Sequence, residues 1–206
     1  FRGFSQENVE IDVADELVME DEGGDIVTPT MPDGKKIEDM IMDPNFAAYI
    51  KAAYDTDGNG YMTEGEINNV RVIDVTEKSI GSLAGIENFK NLETLLCGGN
   101  GLSALVLTGN TKLTRLECQK NNIPTLDLSK NTRLTKLNCS NNIIGTLNIE
   151  GCAELKEIDC SNNLFSELPI QYMSELTTLN CSNNASLTSL DVQNNTKLKV
   201  LNCAQC

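Results

Sequence analysis

The 206-residue chain contains no tryptophan and no histidine, and only nine aromatic residues. A globule of this length ordinarily fills much of its core with aromatic rings, so the interior volume has to come from repeated aliphatic side chains. Basic residues are scarce as well: 16 Lys and Arg stand against 30 Asp and Glu, a formal net charge of −14. Tracking a phosphate backbone requires a basic face, and so does adsorption to an anionic bilayer, so neither class fits. No apolar run approaches the ~20 residues of a membrane-spanning helix. The sequence opens at Phe1 without a Met, so an export segment or lipid-modifiable cysteine would be encoded upstream of it.

The negative charge is concentrated. Residues 1–69 hold 17 acidic and 4 basic side chains, whereas residues 70–206 hold 13 and 12. This divides the chain into an acidic arm over 1–35, a helical cap over 36–69 and a near-neutral scaffold over 70–206. The arm combines Glu20-Asp21-Glu22, Gly23-Gly24 and a Pro29 to Gly34 turn segment, the composition of a flexible tether. Val9, Ile11 and Val13 alternate with polar residues, a pattern that also fits one edge strand.

The scaffold repeats itself. Cys97, Cys118, Cys139, Cys160 and Cys181 are spaced by 21, and Cys203 follows after 22. Leu92, Leu113, Leu134, Leu155, Leu176 and Leu198 precede these cysteines by five positions, and Leu95, Leu116, Leu137, Ile158, Leu179 and Leu201 by two. Asn100, Asn121, Asn142, Asn163 and Asn184 follow three positions behind a cysteine. The pattern L-x-x-L-x-C-x-x-N-x-L-x-x-L is that of a leucine-rich repeat. One such turn cannot bury its own apolar face, so turns stack around a shared core. The predicted fold is therefore an α/β solenoid: a right-handed coil with a parallel β-sheet, about six turns long, preceded by a small helical cap. The L-x-x-L-x-C segment becomes the strand, and each Asn ties down backbone groups where the chain bends. The first turn is degenerate, with Val75 in the cysteine slot and no Asn behind it.

Eight cysteines invite a disulfide framework, but the period opposes it. In-register parallel strands hold neighbouring Cβ atoms ~4.8 Å apart, whereas a disulfide prefers ~3.8 Å. The six ladder cysteines read as buried thiols acting as small hydrophobes. Cys203 to Cys206 spells C-x-x-C, yet Cys203 is the sixth ladder residue and Cys206 stands in the asparagine slot. Cys152 lies in the second half of its turn, where the pattern assigns it nothing beyond packing.

Ahead of the repeats, Asp55 to Glu66 matches the twelve-residue EF-hand calcium loop at each ligand position. Asp55, Asp57 and Asn59 supply side-chain oxygens, Tyr61 a backbone carbonyl, Thr63 a water-bridged contact and Glu66 a bidentate carboxylate. Gly60 permits the sharp turn. Hard oxygen donors in this number suit calcium over zinc or copper, and the alternative is a polar helix-ending loop that needs no metal. Asp43 caps the entering helix, Pro44 occupies its first position, and Phe46, Ile50 and Ala53 form its apolar face. The hand is single and its exit helix short, which suits a structural clamp over the solenoid end better than a sensor that opens a groove.

The Asp43-Pro44-Asn45-Phe46 segment, the EF-hand-like loop, the degenerate turn through Gly85 to Phe89 and turns such as Leu137-Asn138-Cys139-Ser140-Asn141-Asn142 together resemble the bacterial internalin-like leucine-rich-repeat surface proteins, in their cysteine-ladder branch. The resemblance covers residues 43–206. It implies an EF-hand-like cap, export or surface anchoring, and a role in adhesion or partner binding. The solvent-facing strand positions carry no Trp, Tyr or Arg cluster of the kind that dominates interfaces. Arg115, Glu117, Lys136, Glu157 and Asp159 are the candidate partner-binding residues, set against a solvated sheet with weak pairing. The alternative to a binding module is a spacer that self-associates through an uncapped last turn, where Leu198, Val200 and Leu201 leave a strand edge. An enzyme is disfavoured: there is no His, no G-x-S-x-G and no phosphate loop, and carboxylates on an open sheet lack an enclosing pocket.

Overall fold

The computed structural model describes residues 33–206. The acidic arm, with its Val9, Ile11 and Val13 segment, lies outside the described residues as far as position 32. The described chain begins with β1 (Lys35–Lys36) and α1 (Ile37–Met40), followed by α2 (Pro44–Tyr54), β2 (Tyr61–Met62) and α3 (Glu64–Asn69). β1 pairs antiparallel with β2, so the strand inside the EF-hand-like loop has a partner although no second hand is present among the described residues. Helix α2 starts at Asp43, whose carboxylate accepts from Asn45 N and Phe46 N, with Pro44 at its first position. Phe46 and Ile50 are buried. Ala53, expected beside them, is exposed; Tyr54, four residues from Ile50, packs on the core instead, in keeping with a 3.6-residue period.

The solenoid carries a seven-stranded parallel sheet: β3 (Val72–Asp74), β4 (Thr94–Leu96), β5 (Arg115–Glu117), β7 (Lys136–Asn138), β9 (Glu157–Asp159), β10 (Thr178–Asn180) and β11 (Val200–Asn202). Two further strands, β6 (Thr125–Asp127) and β8 (Thr146–Asn148), pair in parallel as a separate short sheet. The large sheet aligns Ile73, Leu95, Leu116, Leu137, Ile158, Leu179 and Leu201 in one row. Six of these are buried, as are Leu92, Leu113, Leu134, Leu155 and Leu176. Each strand is shorter than the six-residue segment expected, because only the three residues before the cysteine are assigned to it. The cysteine still extends the backbone pairing: Cys97 N donates to Glu117 O at 2.8 Å and Cys118 N to Asn138 O at 2.8 Å.

All eight cysteines are thiols. Cys97, Cys118, Cys139, Cys160 and Cys181 run in single file through the interior, where burial pushes Cys97 up to about 12 and Cys118, Cys139 and Cys160 well above the usual thiol range. Cys203, expected to be buried, is exposed, since no described turn packs over it. At pH 8 a disulfide reagent such as dithionitrobenzoate is therefore expected to modify Cys203 and Cys206 rapidly in the native chain, and the six buried thiols only after denaturation. Fast modification of more than two thiols would contradict the buried file.

The asparagine column binds adjacent turns together. Asn121 Nδ2 donates to the carbonyls of Cys97 and Cys118, each at 3.0 Å, and its Oδ1 accepts from Leu102 N at 3.1 Å. Asn142, Asn163 and Asn184 repeat this geometry. The first turn needs no such residue because it has no preceding turn to hold; Asn100 ties it from behind through Val75 O, Lys78 N and Ile80 N. One position before the column, Lys120, Asn141, Asn162 and Asn183 adopt φ of 54–58°. This left-handed conformation suits Asn among non-glycine residues, which explains the Asn-Asn pairs in the repeat.

A second column lies elsewhere in each turn. Asn110 donates to Ile86 O and Phe89 O, Asn131 to Leu107 O and Asn110 O, and Asn195 to Ile170 O and Met173 O. Cys152 fills the same slot between Asn131 and Met173, with its thiol 3.3 Å from Leu128 O.

One carboxylate both caps the first long helix and joins the cap to the solenoid. Asp43 Oδ1 caps α2, while Oδ2 accepts from Gly81 N at 2.9 Å and Ser82 N at 3.2 Å in the first turn. Asn45 Nδ2 adds a bond to Ser79 O, and Tyr54 OH donates to Val72 O. Partial burial opposes ionisation of Asp43, but the four N–H groups outweigh it and hold the carboxyl below its usual range. Because the folded value is the lower one, its contribution is complete above the ordinary carboxyl pKa of ~3.9 and fades as pH falls through the folded value. Asp43→Ala is expected to cost about 2 kcal/mol, between the loss of a helix cap and that of charge-assisted bonds. Differential scanning calorimetry should show the cap melting separately ahead of the solenoid; an unchanged single transition would contradict this joint.

Candidate functional site

Two surfaces carry the candidate residues. The first is the loop between α2 and α3. Its acidic side chains converge because the backbone wraps around them: Asp55 Oδ1 accepts from Gly58 N and Oδ2 from Gly60 N, both at 2.9 Å. Asp57 Oδ1 accepts from Asn59 N at 3.1 Å, and Asn59 Oδ1 from Tyr61 N at 2.7 Å. Gly60 sits at φ +84°, a conformation that a side chain would strain. Thr63 caps α3 and forms a reciprocal capping box with Glu66.

Glu66 closes the loop from the far side. Its Oε1 accepts from Thr56 N at 2.7 Å and Thr56 Oγ1 at 2.6 Å, and its Oε2 from Thr63 N and Thr63 Oγ1 at 2.9 Å each. The Thr56 hydroxyl, then the Thr56 and Thr63 amides, hold this carboxyl down at about 2 against a small opposing effect of burial. Carboxylate oxygens from Asp55, Asp57 and Glu66 lie within 4.8 Å of one another. No Lys or Arg among the described residues pairs with any of the three. A cation held between three carboxylates this close offsets their mutual repulsion, and their all-oxygen chemistry fits calcium.

The second surface is the outer face of the seven-stranded sheet, where Arg115, Glu117, Lys136, Glu157 and Asp159 come together on β5, β7 and β9. Arg115 lies opposite Lys136, and Lys136 opposite Glu157. The like charges of Arg115 and Lys136 are each offset by a carboxylate: Arg115 Nη2 to Glu117 Oε1 at 2.6 Å, along its own strand, and Lys136 Nζ to Glu157 Oε2 at 3.1 Å, across strands. Asp159 Oδ1 accepts from Ser161 N and Ser161 Oγ. The same turn recurs as Ser140 with Asn138 and Ser182 with Asn180, so this border of the sheet is a row of internally bonded polar groups.

No family model matches the chain. Internalin J of Listeria monocytogenes (serotype 4b) is 30% identical over 77 residues, which is 37% of this chain and 8% of that protein. Among solved structures, the functional domain of InlJ from Listeria monocytogenes, which includes a cysteine ladder, superposes with a TM-score of 0.80 at 31% identity over 85% of this chain and 40% of that one. The internalin InlF from the same species superposes with a TM-score of 0.66 at 23% identity, over 82% of this chain and 58% of that one, a likeness in fold alone. The chain thus corresponds to a part of each of these proteins, and its leucine-rich-repeat solenoid is internalin-like.

Proposed function

We propose that the chain is the binding part of an exported bacterial surface protein: a leucine-rich-repeat module that recognises a protein or surface ligand on its parallel sheet and whose N-terminal cap is stabilised by calcium. The single observation that carries this reading is the likeness to the InlJ functional domain over 85% of the chain. Solenoids characteristically bind through the extended surface their stacked turns create. Here that surface presents Arg115, Glu117, Lys136, Glu157 and Asp159 on neighbouring strands. Asp55, Asp57, Asn59, Tyr61, Thr63 and Glu66 would hold the cation, which supplies charge neutralisation and no reaction chemistry.

The test uses beads coated with the purified chain and scored for adhesion to a panel of cell surfaces and extracellular proteins. Arg115→Glu combined with Lys136→Glu is expected to lower adhesion about fivefold, since a reversed pair places like charges against the partner. Lys130→Glu, beyond β6 and off the sheet face, should leave adhesion intact. Equal adhesion by the sheet variant and the parent chain would remove the sheet from the account.

A further inference from the structure

The short sheet of β6 and β8 stops after two strands, although the chain passes the same register again one turn later. Glu167, Leu168 and Pro169 occupy the positions 21 residues beyond Thr146, Leu147 and Asn148, yet they form no strand. Proline has no N–H to donate to a ladder, and Ile170 N bonds back to Leu168 O at 2.9 Å, a tight turn that carries the chain away. Leu168 is consequently only partly buried, whereas Leu126 and Leu147 are buried. Between the departing chain and β8 lies a cleft of about 650 Å³. Thr146, Asn148 and Glu150 form one wall, and Glu167, Pro169 and Tyr172 belong to the other. Backbone bonds join β8 to residues 124–128 on its other side, but none joins it to 166–169.

We propose that this cleft takes an extended peptide segment bearing lysine or arginine, added as a third strand along the free edge of β8. Strand addition needs an unpaired edge with room beside it, and Pro169 creates both. The charge selects the occupant. Glu150 and Glu167 enter no ion pair among the described residues, and no basic side chain lines the cleft. The acidic N-terminal residues of the same chain, nine carboxylates and one arginine over positions 1–32, are the wrong sign to fill it. Tyr172, 68% exposed, is the only aromatic residue of the solenoid that reaches solvent, and it offers its ring to a cationic side chain. This surface is separate from the seven-stranded face, so the inference stands apart from the reading proposed above.

The experiment titrates the full chain with an acetylated peptide of about ten residues alternating lysine and threonine, followed by fluorescence anisotropy and by amide hydrogen exchange. Saturable binding is expected, with new exchange protection confined to the Thr146–Ile149 segment. Glu150→Lys with Glu167→Lys should weaken it about tenfold, while Arg115→Glu with Lys136→Glu on the other sheet should leave it unchanged. Binding without protection at β8, equal binding of the glutamate–threonine counterpart, or binding of a neutral oligosaccharide in place of the peptide would each overturn the proposal.

Discussion

Asn142→Ala is expected to destabilise the solenoid by about 3–5 kcal/mol. The residue joins three backbone groups from two turns: Cys118 O and Cys139 O accept from its amide at 3.0 and 3.1 Å, and Ile123 N donates to it at 3.1 Å. Each buried group left without a partner costs about 1–3 kcal/mol, and the strands on either side lose their fixed bend. Asn142→Asp should be similarly harmful, because a carboxylate can accept from Ile123 N but can donate to neither carbonyl. The second column provides a graded comparison. Asn131 makes two donations, and its Oδ1 has no partner, so Asn131→Ala should cost about 2–3 kcal/mol. Urea unfolding followed by far-ultraviolet circular dichroism checks both. Because stability in stacked repeats is approximately a sum of unit and neighbour terms, a midpoint shift at Asn142 below that at Asn131 would mean the first column does not bind the turns together.

Calcium is expected to raise the melting temperature of the chain by about 5–10 °C at ~1 mM. An ion present at 100 times its dissociation constant stabilises the folded state by about 2.7 kcal/mol, and ~1 kcal/mol corresponds to about 2–4 °C in a domain of this size. The affinity assumed, ~10 μM, is within the range of EF-hand sites. Glu66→Gln should abolish the increment, since it removes one of the charges that attract the ion. That variant also alters the bonds to Thr56 and Thr63, so the comparison is between the calcium-induced increments of the two proteins and not between their melting temperatures. Tyrosine fluorescence is a suitable probe: Tyr49, Tyr54 and Tyr61 lie in the cap and only Tyr172 in the solenoid. An equal increment in both proteins would place calcium elsewhere.

The solenoid was legible because its physics is periodic. One cysteine in each turn fixes the register, and the leucines two and five positions before it then fall on the same inward row. The second asparagine column was equally periodic, at Asn110, Asn131 and Asn195, but it is broken by Cys152 and Met173; an alignment anchored on the six cysteines leaves the seventh unexplained. Noting that Cys152 stands 21 residues from Asn131 would have identified its slot. The bonds that Asp43 accepts from Gly81 N and Ser82 N span 38 and 39 residues and have no local signature, so the sequence reveals the helix cap and hides the joint. Likewise, Pro169 announces a break in local structure, but not that the break opens a cleft beside β8. The candidate loop ligands are read from spacing alone, whereas the internal pairing of Arg115 with Glu117 depends on rotamers that the sequence does not specify.

The most direct test of the calcium-stabilised cap is native mass spectrometry of the intact chain exchanged into calcium acetate. The account predicts one bound calcium per chain, with none on Glu66→Gln. A parent chain that carries no calcium, or a variant that keeps it, would contradict a cation held by Asp55, Asp57 and Glu66.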